Sequence, residues 1–362
     1  MKKIGILTLQ NTVNYGAVLQ LSALQAVLES LGASCTTLNY SNHVVEARES
    51  STRFSMKPRN LARYVMRHRF ERRREDGFAR FAREHLNLTE PLDRAGLFER
   101  AGGLDCLIVG SDQVWNPRVN GGDAVYFCAG MPRCVKRVSY AASLGGAGVD
   151  ELLACDPGIA DDLRAFSRVS VREGSSLPVL AQLGIDASWN PDPTFLLSAD
   201  QWVQGYAAPA GESGRRYVLV YTLNAERELL GAAQRYAESR GADLVALHYN
   251  TQGFDGFKNV RSADPSEFLR LMRGAECVFT DSFHGTCFAL NFGKEFYVRL
   301  SQKKVAGNAR IRDLLEHYGI AGRYVVDGAT PFSCPDYDAA RRLLTRDREN
   351  ALRYLSDSLE LA

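Results

Sequence analysis

Glu276-Cys277-Val278-Phe279-Thr280-Asp281-Ser282-Phe283-His284-Gly285-Thr286-Cys287-Phe288-Ala289-Leu290-Asn291-Phe292-Gly293 is the stretch whose reading decides how this chain is built. Its first five residues form a short apolar run of the kind a buried parallel strand needs, and residues 287–293 read as a helix closing at a glycine. Strand, polar loop and helix in that order make a βα unit, and βα units imply parallel sheets. The loop sets an imidazole among hydroxyls and a carboxylate. With His284 on the first helical turn, at the carboxyl end of the sheet, free N–H groups and the helix dipole favour an anionic ligand. Spacing alone leaves a capping or packing histidine as the alternative.

Outward from this stretch the same module recurs. Lys3-Ile4-Gly5-Ile6-Leu7-Thr8-Leu9 leads through Asn14-Tyr15-Gly16 into a helix with Leu21, Leu24, Leu28 and Leu31 on one stripe, ended by Gly32. Further strands at 104–109, 138–142 and 167–171 run into the loops 110–117, 143–146 and 172–176. Asn190-Pro191-Asp192-Pro193-Thr194 lacks donors at its prolines and cannot continue regular structure, which places a domain hinge in or near it. The pattern then restarts with strands at 217–223 and 243–247, and Asp264-Pro265-Ser266-Glu267 reads as a capping box with proline at the first helical position. The expected fold is α/β: two Rossmann-like domains with parallel sheets facing a cleft. The first covers 1–189 and carries an arginine-rich helical insertion at about 53–85; the second covers 190–340; a helix over 341–362 packs back on the first domain.

A chain of 362 residues exceeds one ordinary core at about 150 residues per domain, in keeping with two. Its 45% apolar and 24% charged content is that of a soluble globular protein, and a net charge of +2 carries no global nucleic-acid signal. Met1-Lys2-Lys3-Ile4-Gly5-Ile6-Leu7-Thr8 turns polar too early for a signal peptide, and no later apolar run approaches the ~20 residues of a membrane span. The expectation is a cytoplasmic chain. Eight cysteines lie scattered without C-x-x-C pairs or metal-like clusters, which points to reduced core thiols and no metal site. Neither a G-x-G-x-x-G after the first strand nor a P-loop is present, so a dinucleotide or P-loop nucleotide reading lacks its anchor.

Several loops could carry chemistry. Arg172 follows a strand directly, where a guanidinium can grip a carboxylate or phosphate with two parallel hydrogen bonds; a salt bridge to Glu173 is the plainer account. Asn14, Tyr15 and Gly16 offer an amide, a phenol and backbone N–H groups suited to sugar hydroxyls or an anion, unless they only cap the helix. Asp112, Trp115 and Asn116 could hold a sugar ring by stacking and hydrogen bonds, with core packing of Trp115 as the alternative. Asn308-Ala309-Arg310-Ile311-Arg312 could bring positive charge to the site or form a solvated face. Arg59, Arg63, Arg67, Arg69, Arg72, Arg73 and Arg74, interleaved with Tyr64, Val65, Phe70, Phe78 and Phe81, make a basic amphipathic segment. Such a segment suits anionic lipid headgroups or a phosphorylated carrier, or else a solvated insertion or dimer contact.

Taken in order, Asn14-Tyr15-Gly16-Ala17, Gly110-Ser111-Asp112-Gln113-Val114-Trp115-Asn116, Ser170-Val171-Arg172-Glu173, Asp192-Pro193-Thr194 and Asp281-Ser282-Phe283-His284-Gly285 resemble the polysaccharide pyruvyl transferase family over nearly the whole chain. The resemblance implies a fold similar to GT-B glycosyltransferases with the active site between the domains, acceptor on the first and donor on the second. It also implies that phosphoenolpyruvate gives its pyruvyl group to two hydroxyls of one sugar as a ketal, releasing phosphate, in exopolysaccharide or cell-wall glycan biosynthesis. No cofactor is implied. His284 and Arg172 take the catalytic roles, as proton shuttle and donor grip. Ser282, Asp281, Gly285, Thr286 and Arg310 bind the donor, and Asn14, Tyr15, Gly16, Asp112, Trp115 and Asn116 the acceptor. Where the family typically carries Arg-x-His, this chain has Ser282-Phe283-His284, so Arg310, Arg299 or Lys294 would have to supply the missing charge. The implied partners are phosphoenolpyruvate and a sugar or lipid-linked glycan, with peripheral contact at the inner face of the membrane through the arginine-rich segment and no nucleic acid. Two alternatives belong beside this: a GT-B glycosyltransferase using a sugar nucleotide, and a non-catalytic glycan- or anion-binding relative.

Overall fold

The computed structural model describes residues 1–10, 12–46, 61–132, 134–209, 215–250, 252–302, 307–325, 332 and 337–360. The chain divides into two α/β units, one of Met1–Ser55, Arg83–Leu196 and Thr345–Ala362, the other of Met56–Ala82 and Leu197–Leu344.

In the first unit, β1 (Lys3–Leu7), β2 (Ser34–Thr37), β3 (Cys106–Val109) and β4 (Lys136–Ser139) form a parallel sheet in the order β2-β1-β3-β4. A parallel pair, β5 (Ser170–Val171) with β6 (Ser188–Trp189), is joined to it by bridges from Val138 to Arg168 and from Ala142 to Val171. Every residue of β3 is buried, as its unbroken run Cys-Leu-Ile-Val demands of a strand covered on both faces. Because the strands are parallel, the loops that follow β1, β3, β4 and β5 emerge at one edge. Two hydroxyls tie these loops together: Thr8 Oγ1 donates to Ser111 O at 2.9 Å, and Ser111 Oγ to Ala141 O at 2.9 Å.

Two expectations change here. The helix Tyr15–Ser30 is buried all round from Tyr15 to Gln25 rather than along one stripe, because the Pro193–Phe195 turn packs on it besides the sheet. That turn belongs to the Asn190–Thr194 stretch, which lies in the first unit, so the boundary expected at 189/190 moves to just past the stretch near which the hinge was expected. Its Pro191 carbonyl accepts from the Tyr140 hydroxyl at 3.0 Å, and Asp192 is buried in an ion pair; the division falls after Leu196. From Thr345 onward the C-terminal helix Asp338–Leu359 packs on this unit, with Arg348 Nε donating to Phe195 O at 2.6 Å and the Tyr354 hydroxyl to Ser139 O at 2.9 Å.

The second unit holds a five-stranded parallel sheet, β11-β10-β7-β8-β9, built from β7 (Tyr217–Tyr221), β8 (Asp243–Leu247), β9 (Lys258–Val260), β10 (Cys277–Thr280) and β11 (Glu295–Val298). Each residue of β10 is buried. The helix Pro265–Gly274 starts with the N-cap half of the expected capping box, Asp264 Oδ1 accepting from Glu267 N at 2.9 Å.

The arginine-rich helix Leu61–His85 is the third change. Over residues 61–82 it belongs to the second unit, not to the first, in whose sequence it sits. Its apolar stripe explains this: Phe78 and Phe81 are buried, Phe81 lies 6.1 Å from the Tyr206 ring, and the Arg261 guanidinium stands 5.3 Å from the Phe70 ring centroid. Gly77 is so close to Asp264 that an added Cβ would stand 2.7 Å from the Asp264 Cβ, and Arg80 pairs with the same carboxylate. Among the described residues no helix is long and apolar enough to cross a membrane, and no disulfide joins the seven described cysteines.

Candidate active site

At the carboxyl edge of the second unit's sheet, β10 ends at Thr280 and the helix Phe283–Asn291 begins three residues later. Two side chains shape this turn. Asp281 accepts from Thr222 Oγ1 (2.9 Å), Leu223 N (2.7 Å), Asn224 N (2.9 Å) and Asn224 Nδ2 (3.1 Å), clamping the loop after β7 to the loop after β10. Ser282 is the N-cap, its Oγ accepting from Gly285 N at 3.3 Å, while Thr286 Oγ1 donates to Ser282 O at 2.9 Å. Glycine at 285 is required because a Cβ there would stand 2.9 Å from Tyr221 Cδ1. Held this way, His284 lies on the first helical turn, 6% exposed, its ring edge-on to Phe283 at 5.2 Å.

Of the three cations that could replace the family's arginine, two lie at this edge of the sheet: Arg299 N donates to Thr280 O at 2.9 Å, and Arg310 reaches the Phe283 ring. Lys294 precedes β11 and so lies at the opposite edge of the sheet from His284. Arg299 is 7% exposed and engaged, its Nε 3.2 Å from Glu226 Oε2 and its Nη1 donating to Val325 O at 3.2 Å. Arg310, on the helix Asn308–His317, holds its guanidinium 5.4 Å from the Phe283 ring centroid. An imidazole and a capped helix N-terminus lie together here, with a guanidinium over the adjoining Phe283 ring, a set able to hold an anion and move a proton next to it.

On the loop after β8, His248 is buried, with Nε2 2.8 Å from Asn259 Oδ1 and Nδ1 accepting from Asn250 N at 3.1 Å. Both bonds suit the neutral ring protonated at Nε2. Burial pulls its pKa below the ordinary 6.5, with Arg261 adding to this and the Asn259 bond opposing. The unfolded chain thus takes up a proton near pH 6.5 that the folded chain refuses, so this contribution to stability is whole above 6.5 and is lost as pH falls through the lower folded pKa. Stability measured by urea unfolding should drop as pH is lowered from 6.5 towards 5, and His248→Gln should flatten that drop. An equal slope in wild type and variant would refute the assignment.

In the first unit, Arg172 is not a free grip. Its side chain is 1% exposed and sits among three carboxylates: Nη1 to Asp192 Oδ2 at 2.7 Å, Nη2 to Asp112 Oδ1 at 3.5 Å and Nε to Glu173 Oε1 at 3.5 Å. Burial pulls the guanidinium pKa down, but Asp192, Glu173 and Asp112 together outweigh it and raise it above the usual value. Glu173 also accepts from Ser143, Asp192 Oδ1 from Thr194 N at 3.0 Å, and the Arg172 carbonyl from Trp189 Nε1 at 2.8 Å. Arg172 is thereby a staple joining the loops after β3, β5 and β6. Sequence reading found Arg172 but missed Asp192 as its partner, because a contact twenty residues away leaves no periodic trace.

Trp115 is likewise no exposed stacking surface. It is fully buried, stacked on Phe127 at 5.6 Å, with Nε1 donating to Tyr126 O at 2.9 Å; its indole is the largest side chain packed under this loop. Tyr15 is fully buried too. Asn14 Oδ1 caps the first helix, accepting from Gly16 N at 2.9 Å, and Asn116 Oδ1 accepts from Arg118 N at 3.0 Å while its Nδ2 donates to Gln113 Oε1 at 2.8 Å. Asp112 stands at φ 64°, in the left-handed region, beside this group.

The family model for polysaccharide pyruvyl transferase matches residues 14–300. Among solved structures, a Listeria monocytogenes protein described as a UDP-N-acetylglucosamine 2-epimerase superposes with a TM-score of 0.50 at 12% identity, over 99% of this chain and 88% of its own. MnaA of S. aureus, solved with UDP, gives 0.50 at 12% identity, over 100% and 98%. The UDP-GlcNAc 2-epimerase of Neisseria meningitidis gives 0.48 at 11% identity, over 100% and 94%. At such identities the likeness to the first two is one of fold, the GT-B type. No curated protein matches the sequence.

Proposed function

The chain belongs to the polysaccharide pyruvyl transferase family and is a transferase, and on that premise we propose that it moves the pyruvyl group of phosphoenolpyruvate onto two hydroxyls of one sugar. The observation that carries this reading is the placement of His284 on the first turn of the helix Phe283–Asn291 with Arg310 over the adjoining Phe283. Protonation of the donor's methylene carbon gives a methyl group and an oxocarbenium-like carbon, to which the first hydroxyl adds. Phosphate then leaves, and the second hydroxyl closes the ketal. Of the two hydroxyl protons, one replaces that used on the methyl and the other leaves on phosphate. His284 moves the proton, and Arg310 with the N–H groups of the turn holds the donor anion. Asp281, Ser282, Gly285 and Thr286 serve the donor by building that turn. Asp112, Asn116 and Asn14 present polar groups at the loops of the first unit, the side assigned to the sugar or lipid-linked glycan acceptor.

Thermal shift tests the donor. A ligand at 100 times its Kd stabilises by about 2.7 kcal/mol, so phosphoenolpyruvate should raise Tm clearly while UDP-, GDP- and CMP-sugars do not. Stabilisation by a sugar nucleotide alone would replace this reading with a glycosyltransferase.

The same proposal places the enzyme in the cytoplasm, against the inner face of the membrane. Exposed Arg69, Arg72 and Arg73 are the contact, since Phe78 and Phe81 are buried and unavailable to lipid. Each arginine near an anionic surface adds about 1 kcal/mol, so Arg69/Arg72/Arg73→Gln should abolish sedimentation with phosphatidylserine vesicles at low salt. Equal sedimentation of the variant and wild type would remove the membrane from the proposal.

A further inference from the structure

We propose that Glu226 is a positioning residue of the His284 turn: with Arg299 it forms an ion-pair strap past the end of β10 that fixes where the helix Phe283–Asn291 starts. This rests on the reading of that turn as the donor site.

The order of strands gives the pair its place. β10 lies between β7 and β11. Glu226 stands in the loop after β7 and Arg299 directly follows β11, so their strands are two spacings, about 10 Å, apart. Arg299 Nε nevertheless lies 3.2 Å from Glu226 Oε2, which carries the pair past the carboxyl end of β10. The two side chains are only 8% and 16% exposed, so salt screens them little. Glu226 also occupies the N-cap position of the helix Arg227–Arg240, yet its carboxylate makes no cap bond there and turns to Arg299 instead. Ala225, just before it, stands at φ 53°, a left-handed conformation that costs a non-glycine residue free energy and that redirects the chain between the Asp281 contacts and Glu226.

Both ends of the strap are tied to the turn. At the arginine end, Arg299 N donates to Thr280 O at 2.9 Å, Ser282 N to Thr280 Oγ1 at 3.1 Å, and Gly285 N to Ser282 Oγ at 3.3 Å, on the helical turn that carries His284. Arg299 Nη1 is anchored separately, donating to Val325 O at 3.2 Å. At the glutamate end, Ala225 N donates to Thr222 Oγ1 at 2.8 Å, and Thr222 Oγ1, Leu223 N and Asn224 N all donate to Asp281. The contact between Glu226 and Arg299 therefore closes a ring of polar bonds that runs through Thr280, Asp281 and the loop after β7. Opening that ring at Glu226 lets the loop and the end of β11 move independently, and the turn between them loses its fixed setting.

The measurement is the imidazole NMR spectrum of the full-length protein, with the His284 signals assigned by their loss in His284→Asn, together with steady-state kinetics in phosphoenolpyruvate. Glu226→Gln and Arg299→Gln should each move the His284 signals, and each should raise KM for phosphoenolpyruvate roughly 3- to 10-fold with a smaller change in kcat. The double variant should be no worse than the poorer single one, since both open the same ring. Glu226→Asp, which keeps the charge, should move the signals less than Glu226→Gln. Glu228→Gln removes a carboxylate from the first turn of the same helix and should leave the signals in place. His284 signals unchanged in Glu226→Gln, equal movement in Glu228→Gln, or additive effects in the double variant overturn the proposal. Should Arg299→Gln fail to fold, Glu226→Gln and Glu228→Gln decide by the same signals. The spectrum needs no substrate, so movement of His284 in a protein that phosphoenolpyruvate does not stabilise would retire the donor assignment and leave the positioning role standing.

Discussion

His284→Asn is expected to lower kcat for phosphate release from phosphoenolpyruvate by about 10²- to 10⁴-fold, the usual worth of a positioned general acid or base. Asparagine retains a polar side chain at a site only 6% exposed. The turn itself is held by Asp281, Ser282 and Gly285 rather than by the imidazole. Circular dichroism and Tm should therefore stay close to those of the wild type, and donor binding measured by calorimetry should weaken far less than kcat falls, because Arg310 and the helix N–H groups remain. A folded variant turning over within tenfold of wild type would exclude His284 as the proton carrier.

Arg172→Met is expected to destabilise the protein by about 3–5 kcal/mol, the cost of removing one partner from a buried ion pair and leaving the opposite charge in place. Against a total stability of about 5–15 kcal/mol, this is enough to lower yield and move the urea midpoint sharply. Three carboxylates, on the loops after β3, β5 and β6, lose their common counter-ion at once. Arg172→Lys should recover only part of the loss, since one ammonium cannot reach three carboxylates as a planar fork does. Trp189, whose indole donates to the Arg172 carbonyl, gives a fluorescence report from the site. An unchanged urea midpoint combined with lost affinity for phosphoenolpyruvate would return Arg172 to the role of donor grip.

Much of the second unit's site was legible in the chain. Strand, cap, histidine and glycine at Thr280–Gly285 follow one another locally, and local order is what sequence records: Ser282 caps because its hydroxyl lies three residues from the N–H of Gly285. The family's missing arginine was legible too, as Ser282. Its replacement was not, since Arg299, Lys294 and Arg310 differ only in which edge of the sheet they reach and in what else they bond. In the first unit the structure shows the plainer of the two accounts for each residue, core packing for Trp115 and ion pairing for Arg172. Trp115 and Arg172 sit on polar loops at strand ends, and composition alone gives a buried indole or guanidinium the same signature as one waiting for a ligand.

By itself, then, the sequence determined the α/β class, the parallel strands, the helix caps and the family, because each depends on residues within a few positions or on motifs in order along the chain. The tertiary structure alone decided that the arginine-rich helix belongs to the second unit, that the proline-flanked stretch around Asp192 belongs to the first, and that Arg172 is a staple while Arg310 stands over the Phe283 ring. These depend on which surfaces bury each other and on which charges lose their water. Both are settled by contacts between residues far apart in the chain, where no periodicity marks the partner.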